Sequence, residues 1–207
     1  MPDFDDLPFS SRPDLTPYLI HLTKNTKAED EFSAYDNLAN ILRSGEIWGS
    51  RPQRGFIKGK RKAACFMDVP FASLKYVLTP EDADPQAPRY EPYGVVITKR
   101  YAYGLGCRPV LYLSNAEVEA LGVPANELWR VVRLEVRDGG NWISWLHERE
   151  WRRPDRFKLP PRIQAVLVRS TRDARNLARL IAKDPKDFAC TPSAIIPLTV
   201  MSQGLLV

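Results

Sequence analysis

The residues with the clearest chemical potential are two glutamates in the C-terminal half of the chain, Glu148 and Glu150. They stand in the segment Trp145-Leu-His-Glu-Arg-Glu-Trp-Arg-Arg-Pro154, among aromatic and basic side chains. In an extended segment side chains alternate, so both carboxylates would project from one face. Like charges so placed are costly unless something binds them. The segment therefore predicts either a catalytic carboxylate in an aromatic-walled cleft or an ion-pair cluster with Arg149, Arg152 and Arg153.

A second group with chemical potential is a basic stretch in the first third of the chain. Its charged members are Arg51, Arg54, Lys58, Lys60, Arg61 and Lys62. Such a run is typical of a solvated loop, and it is also the electrostatic pattern that attracts phosphates. We therefore predict an exposed loop, with nucleic acid or another phosphate-rich ligand as its natural partner.

The composition limits the classes of protein that the chain can represent. With 207 residues, 44% of them hydrophobic and 27% charged, the chain is long enough for one core and is not disordered. Cys65, Cys107 and Cys190 lack metal-ligand spacing and indicate reduced, buried thiols in a cytosolic protein. Only two histidines are present, so no metal site is expected. Neither a secretion signal nor a membrane-spanning stretch is apparent, so we expect a cytoplasmic location without membrane contact.

Hydrophobic periodicity predicts the elements that position these groups. Strands are predicted over residues 18–23, 46–50, 63–67, 93–98, 109–113, 163–168 and 194–200. Helices are predicted over residues 34–44, 70–78, 115–121 and 171–182, with Gly45 and Gly122 as stops. Residues 128–136 suit either state, and the proline-rich residues 79–92 form a turn-rich connection. We predict an irregular lead-in over residues 1–16 and a single compact α+β domain over residues 17–207.

Several short motifs follow one another in an order that carries a family resemblance. His21-Leu-Thr23 lies on the first predicted strand, and Asn37-Leu-x-x-Ile-Leu-x-x-Gly45 on the first predicted helix. Cys65-Phe-Met-Asp-Val-Pro-Phe-x-x-Leu-x-Tyr76 forms a strand followed by a helix. Near the end, Glu148-Arg-Glu150-Trp precedes Leu159-Pro-x-x-Ile-x-x-Val-Leu-Val168. This order resembles that of the DarT-like ADP-ribosyltransferases, in which a catalytic glutamate precedes a comparable Pro-x-x-Ile strand.

A further motif extends the resemblance to phage-defence proteins. With Arg89-Tyr-Glu-Pro-Tyr-Gly-Val-Val96 included, the chain is similar to the AbiGi-type abortive-infection proteins over about residues 17–170. The resemblance implies an ADP-ribosyltransferase-like fold with a split, mainly antiparallel sheet and flanking helices. One departure is clear: the DarT pattern usually carries an arginine at about residues 69–71, and here Arg89 or Arg51 would have to replace it.

The resemblance implies transfer of ADP-ribose from NAD, which would be the substrate. A fixed carboxylate stabilises the positive charge that develops on the ribose as nicotinamide leaves. The resemblance assigns this role to Glu150, and it leaves Glu148 to orient the acceptor or accept its proton. Arg89 is the candidate clamp for the pyrophosphate, because its planar guanidinium matches phosphate oxygens.

The same resemblance implies a cofactor-binding set. His21 and Thr23 lie two residues apart on one strand, which suits hydrogen bonds to a ribose and to the nicotinamide amide. Asn37 would contact the cofactor or cap local backbone. Phe66 and Tyr76 would wall the nicotinamide pocket. In proteins generally, such histidines, threonines and aromatic residues belong more often to a core.

Three functions remain open from the sequence. The first is an NAD-dependent ADP-ribosyltransferase that modifies nucleic acid as a toxin or phage-defence effector, with a possible cognate antitoxin. The second is a catalytically inactive protein that binds nucleotide or nucleic acid and acts as an antitoxin or regulatory partner. The third, a metal-dependent nuclease, is less favoured because no other carboxylate set has suitable spacing. No Rossmann glycine motif or P-loop occurs.

Overall fold

The computed structural model describes residues 12–26, 31–50, 57–78, 90–136 and 139–201. The strands in these ranges are β1 (Tyr18–Leu22), β2 (Glu46–Trp48), β3 (Ala63–Phe66), β4 (Gly94–Thr98), β5 (Arg108–Pro109), β6 (Leu111–Leu113), β7 (Val131–Arg133), β8 (Glu135–Val136), β9 (Trp142–Ile143), β10 (Trp151–Pro154), β11 (Arg156–Lys158), β12 (Arg162–Ile163), β13 (Ala165–Val168), β14 (Thr191–Pro192) and β15 (Ile195–Pro197). The α-helices are α1 (Ala34–Ser44), α2 (Lys99–Gly104), α3 (Asn115–Ala120), α4 (Thr171–Lys183) and α5 (Leu198–Met201). Short 3-10 helices cover Phe71–Tyr76, Leu128–Arg130, Leu146–Glu148 and Pro185–Asp187.

A four-stranded sheet with the order β1-β4-β13-β15 forms the first layer. Strands β1, β4 and β13 pair antiparallel, and β15 joins β13 in parallel. Strands β4 and β13 are buried almost throughout, because both of their faces are covered. Gly94 allows β4 to approach β1 closely, since a Cβ atom there would lie 2.4 Å from the carbonyl oxygen of His21.

The second layer is built from the antiparallel sheet β3-β10-β5 and the antiparallel ribbon β11-β2. It meets the first layer at paired backbone hydrogen bonds between Ile20 and Met67, with N···O distances of 3.0 and 2.7 Å. The main core fills the space between the layers, where the Phe66 and Phe157 rings contact edge to face at 4.9 Å. The predicted α+β class with a split, mainly antiparallel sheet is confirmed.

Helix α1 begins and ends where the sequence predicts. Its N-terminus carries a capping box, in which the Asp36 N–H donates to Ser33 Oγ at 3.1 Å and the Ser33 N–H to Asp36 Oδ2 at 3.1 Å. Its C-terminus is closed by Gly45 in the left-handed conformation, with φ 67°. The helix buries Leu38 and Leu42 against the core and so leaves its polar face toward residues 24–26.

Other predicted elements differ in detail. The helix expected over residues 70–78 is a 3-10 helix, with Pro70 as its N-terminal flanking residue. The strand expected over residues 109–113 is divided at Val110, because β5 pairs with β10 whereas β6 pairs with β7. Only Ile195–Pro197 of the expected last strand is extended, and α5 follows. Helix α2 was not predicted from the sequence.

Some expectations fall outside these elements. Most of the turn-rich residues 79–92, with Arg89, and the basic residues Arg51 and Arg54 lie outside the described residues. The division into residues 1–16 and 17–207 stays a prediction. Over the described ranges, no helix is both long and apolar enough to cross a membrane.

We expect Gly94→Ala to lower the free energy of unfolding by about 1–3 kcal/mol, because the added methyl group would overlap backbone atoms of β1. Urea unfolding of the variant beside wild type measures this effect. Gly104→Ala is the matched control, since nothing lies within 4 Å of the Cβ position there. Equal stability of the Gly94 variant and wild type would contradict the close approach.

Candidate functional site

A cavity of about 950 Å³ opens between β1, α1 and the β3–β10 pair. This volume suits a ligand of cofactor size. Among the residues predicted as a site, it is lined by His21, Thr23, Asn37, Phe66, Glu148 and Glu150. Residues from four separate parts of the sequence therefore meet in one place.

The glutamate segment reaches the cavity through a turn and not as an extended strand. Leu146–Glu148 is a 3-10 helix, and Arg149 then adopts a left-handed conformation with φ 47° and ψ 51°. Strand β10 begins only after Glu150. The expectation of an extended segment is wrong, because the Glu148 N–H is donated back to Trp145 O at 3.1 Å. Both glutamates nevertheless line the same cavity and are 8% and 7% exposed.

Tyr112 holds this turn together from β6. Its hydroxyl accepts the Glu150 N–H at 2.9 Å and donates to Trp145 O at 3.3 Å. Burial, together with the nearby negative charge of the glutamates, raises the pKa of Tyr112 to about 12. The hydroxyl therefore stays protonated and able to donate. Sequence reasoning missed this residue, which no local motif distinguishes.

Glu150 forms a buried, bidentate ion pair with Arg152. Arg152 Nε donates to Glu150 Oε1 at 2.8 Å and Nη2 donates to Oε2 at 2.9 Å. The remaining nitrogen, Nη1, donates to Trp129 O at 2.9 Å and Val131 O at 3.2 Å. Arg152 is only 2% exposed, and its charge is tolerated because its donors are almost all used. Of the three arginines expected to neutralise the glutamates, Arg149 and Arg153 contact backbone carbonyls instead.

Glu148 has a different environment. Its Oε1 accepts a hydrogen bond from the hydroxyl group of Tyr90, which also lines the cavity. Its backbone oxygen accepts the Asp68 N–H at 3.2 Å, which fixes the turn against the chain that follows β3. Tyr90 belongs to the quoted motif at residues 89–96 but was not predicted as a site residue.

His21 presents a neutral imidazole to the cavity. Its Nδ1 lies 2.8 Å from Cys65 O, and a carbonyl can only accept, so Nδ1 carries the proton. Burial lowers the pKa of His21 below its usual value. Nε2 is therefore a hydrogen-bond acceptor. The ring packs against Phe66 with centroids 5.8 Å apart, so both side chains form one wall.

Thr23 and Asn37 line the cavity while holding its edge in place. The Thr23 hydroxyl donates to Ala34 O at 2.8 Å. Asn37 Nδ2 lies 2.9 Å from Lys24 O and 2.8 Å from Thr26 Oγ1, and it donates to both. Of the two roles considered for Asn37, the structure shows the backbone contact, which ties residues 24–26 to α1.

Two predicted groups lie away from the cavity. Tyr76 is 72% exposed at the end of its 3-10 helix, with Lys75 Nζ 5.0 Å above the ring, because that helix turns Leu74 inward. It does not line the cavity. Lys58 Nζ contacts Asn115 Oδ1 at 2.5 Å, and Arg61 Nη2 contacts Asp155 Oδ2 at 2.6 Å.

The remaining described members of the basic run are exposed. They are Lys60 and Lys62. Ile57, next to Lys58 in the chain, lines the cavity, whereas residues 58–62 do not.

The fold has a counterpart among solved structures. The chain is similar to DarT of Thermus sp. 2.9 in complex with NAD+, with a TM-score of 0.50 and 18% sequence identity over 88% of this chain and 96% of that one. A structure of that DarT in complex with ADP-ribosylated ssDNA gives a TM-score of 0.49 at 18% identity, over 88% and 94% of the two chains.

The likeness is one of fold. No protein-family model matches the chain, and no curated protein sequence matches it either. The DarT-like fold implied by the order of the motifs is confirmed. The AbiGi-type assignment stays a prediction.

Cys65 also lines the cavity but is a poor nucleophile there. Burial, reinforced by the charge of Glu150, raises the pKa of its thiol well above the usual value. All three cysteines are free thiols. Within the described ranges, no group of three side chains is placed to hold a metal ion.

We expect Arg152→Met to lower the free energy of unfolding by about 3–5 kcal/mol, because the variant leaves a buried carboxylate without its partner. The double variant Glu150→Met/Arg152→Met removes both charges, so it should recover part of this loss. Urea unfolding of the four proteins in this cycle measures the coupling. A single variant as stable as wild type would contradict the pairing.

The lowered pKa of His21 predicts a pH-dependent stability. Below pH about 6.5 His21 takes up a proton in the unfolded chain, whereas in the folded protein it stays neutral to a lower pH. The free energy of unfolding therefore falls as the pH falls from there toward the lower folded-state pKa. His21→Asn, which keeps a donor for Cys65 O, should remove this dependence. The exposed His147→Asn is the control; an equal change in both variants would refute the assignment.

Proposed function

We propose that this protein is an NAD-dependent ADP-ribosyltransferase that modifies nucleic acid. The observation that carries the proposal is the convergence of His21, Glu148 and Glu150 in one large cavity of a DarT-like fold. The similar Thermus protein is described in complex with NAD+, and the cavity volume suits a dinucleotide. NAD is the substrate in this proposal.

Glu150 would stabilise the charge that develops on the ribose. The bond between C1′ and the nicotinamide nitrogen breaks, its electron pair leaves with nicotinamide, and the ribose becomes oxocarbenium-like. A carboxylate has about four lone-pair sites, and Arg152 uses two of those on Glu150. The others remain available to ribose hydroxyls, and the ion pair holds the carboxylate in a fixed orientation.

Glu148 would act on the acceptor. The acceptor donates an electron pair to C1′ and loses a proton as the new bond forms. Glu148 is buried in the same cavity, and its contact with Tyr90 fixes its orientation. In the proposed reaction, its carboxylate orients the acceptor or takes that proton.

The wall formed by His21 and Phe66 would bind the nicotinamide half of NAD. The neutral His21 offers Nε2 as an acceptor for a ribose hydroxyl or the amide N–H, and Phe66 offers an apolar surface for the ring. Thr23 and Asn37 would contribute by holding residues 23–26 in place, although both also line the cavity. Arg152 is occupied by Glu150 and two carbonyls, so the pyrophosphate clamp is proposed to be Arg89 or Arg51.

A second function is favoured by one observation. The bidentate ion pair offsets much of the negative charge of Glu150, which weakens its ability to stabilise a cation. The protein would then be a catalytically inactive nucleotide- or nucleic-acid-binding member that acts as an antitoxin or regulatory partner. In the transferase proposal, by contrast, the protein is a toxin or phage-defence effector that is restrained by a cognate antitoxin.

We expect Glu150→Gln to lower the rate of ADP-ribose transfer about 100-fold or more, because it removes a charge that stabilises the transition state. The assay incubates labelled NAD with single-stranded DNA, RNA or cell lysate. Glu148→Gln should also lower transfer, and the exposed Glu119→Gln is the matched control.

The outcomes of this assay separate the two functions. NAD binding by wild type without transfer or NAD hydrolysis would favour the inactive member. If the wild-type protein neither bound NAD, nor transferred ADP-ribose, nor hydrolysed NAD, then NAD would be neither its substrate nor its ligand. Toxicity on expression that disappears with Glu150→Gln would support the effector role.

A further inference from the structure

Trp48 lies at the rim of the cavity with most of its ring in solvent. The side chain is 76% exposed, yet Trp48 lines the cavity together with Glu46 and Ser50. A large aromatic surface left open at the mouth of a binding cavity is suited to contact a ligand that extends beyond it.

The pairing of β2 with β11 fixes what surrounds Trp48. Trp48 lies opposite Arg156, and Glu46 lies opposite Lys158. Directly opposed residues share one face of an antiparallel ribbon. Between them, Ile47 and Phe157 are both buried in the core, so this register is strongly specified. The outward face of the ribbon therefore presents the indole together with Glu46, Arg156 and Lys158.

The backbone at this rim is rigidly held. The N–H of Gly49 is donated to Asp155 O at 2.8 Å. A Cβ atom at Gly49 would lie 2.2 Å from that same oxygen, so only glycine allows the approach. Trp48 is thus presented from a fixed strand end, which reduces the entropy that a ligand must overcome to bind it.

Two basic side chains, Arg156 and Lys158, share the outward face of the ribbon with the indole. Arg156 Nη1 is paired with Glu46 Oε2 at 3.1 Å, and Arg61 is paired with Asp155. Lys158, Lys60 and Lys62 are exposed and, in the part of the chain that the structure describes, form no ion pair. On the ribbon face, Glu46 is paired with Arg156, so the charge of Lys158 is not offset by an ion pair there. An exposed aromatic ring flanked by basic residues is the pattern that binds single-stranded nucleic acid, whose bases stack while its phosphates meet the charges.

We propose that the outward face of the β2–β11 ribbon is the acceptor subsite, where Trp48 stacks a base of single-stranded nucleic acid and Lys158 contacts its phosphates. This inference rests on the proposed function, because the cavity that Trp48 borders would hold NAD. The subsite places the acceptor strand across the mouth of the cavity, and it names Trp48 as the residue that holds it there. A base inside a duplex is already stacked, so the subsite selects single strands.

The test measures binding without NAD, so that it does not depend on catalysis. Fluorescence anisotropy follows fluorescein-labelled single-stranded DNA and RNA of about 12 nucleotides, a length within the range that such surfaces cover. Trp48→Ala should weaken binding of at least one of the two about ten-fold, and Trp48→Phe should restore most of the affinity because it keeps an aromatic face. Lys158→Ala should weaken binding and reduce its dependence on salt.

Trp142→Ala is the matched control, because Trp142 is 68% exposed but lies outside the cavity. It should bind as wild type does. The subsite would be overturned if Trp48→Ala bound as tightly as wild type, or if both tryptophan variants lost affinity equally. It would also be overturned if a duplex of the same sequence bound as tightly as the single strand. A Trp48 variant that lost binding to a protein but kept its affinity for nucleic acid would also overturn the subsite. The wild-type protein could also bind nucleic acid through Trp48 and yet neither transfer ADP-ribose nor hydrolyse NAD. That result would support the subsite and contradict only the proposed transferase activity.

Discussion

The arrangement of the cavity depends on the buried guanidinium of Arg152. It lies on β10, the central strand of its sheet, and reaches Glu150 on one side and the carbonyls of Trp129 and Val131 on the other. A charge so deeply buried must have its donors satisfied, or it destabilises the protein by several kcal/mol, about 3–5 when one partner is lost. The carboxylate of Glu150, the carbonyls of Trp129 and Val131 and strand β10 are therefore fixed relative to one another. A single side chain sets both the stability and the electrostatics of this wall.

Around this pair, several polar contacts are directed at the backbone. The Tyr112 hydroxyl joins the two ends of the glutamate turn, His21 donates to Cys65 O, and Thr23 donates to Ala34 O. Such contacts leave each cavity side chain with one orientation. Because they use the donors of His21 and Thr23, these side chains offer chiefly acceptors to a ligand, and ribose hydroxyls and an amide N–H are suitable donors. The interior thus suits a sugar, whereas the rim at Trp48 and Lys158 suits bases and phosphates.

Much of the framework could be predicted from local sequence. Apolar residues at helical spacing and Gly45 defined α1 to the residue, and the apolar runs located β1, β3, β4 and β13. Such signals are local, since a hydrogen-bonded cap or an alternating face involves neighbours in sequence. The 3-10 helix at Leu146–Glu148 was missed, because its turn is stabilised from outside by Tyr112, far away in the chain. The exposed position of Tyr76 was missed for a similar reason, because the neighbouring Leu74 packs in the core and the aromatic ring does not.

The sequence by itself determined the α+β class, the order of motifs and the residue types from which a site could be built. It also narrowed the role of the two glutamates to a catalytic carboxylate or an ion pair. Only the tertiary structure decided that Glu150 is paired with Arg152, whereas Glu148 accepts a hydrogen bond from the Tyr90 hydroxyl. The physical reason is that burial and partner choice depend on strands far apart in sequence: Trp129, Val131 and Cys65 reach this wall only when β7, β3 and β10 come together.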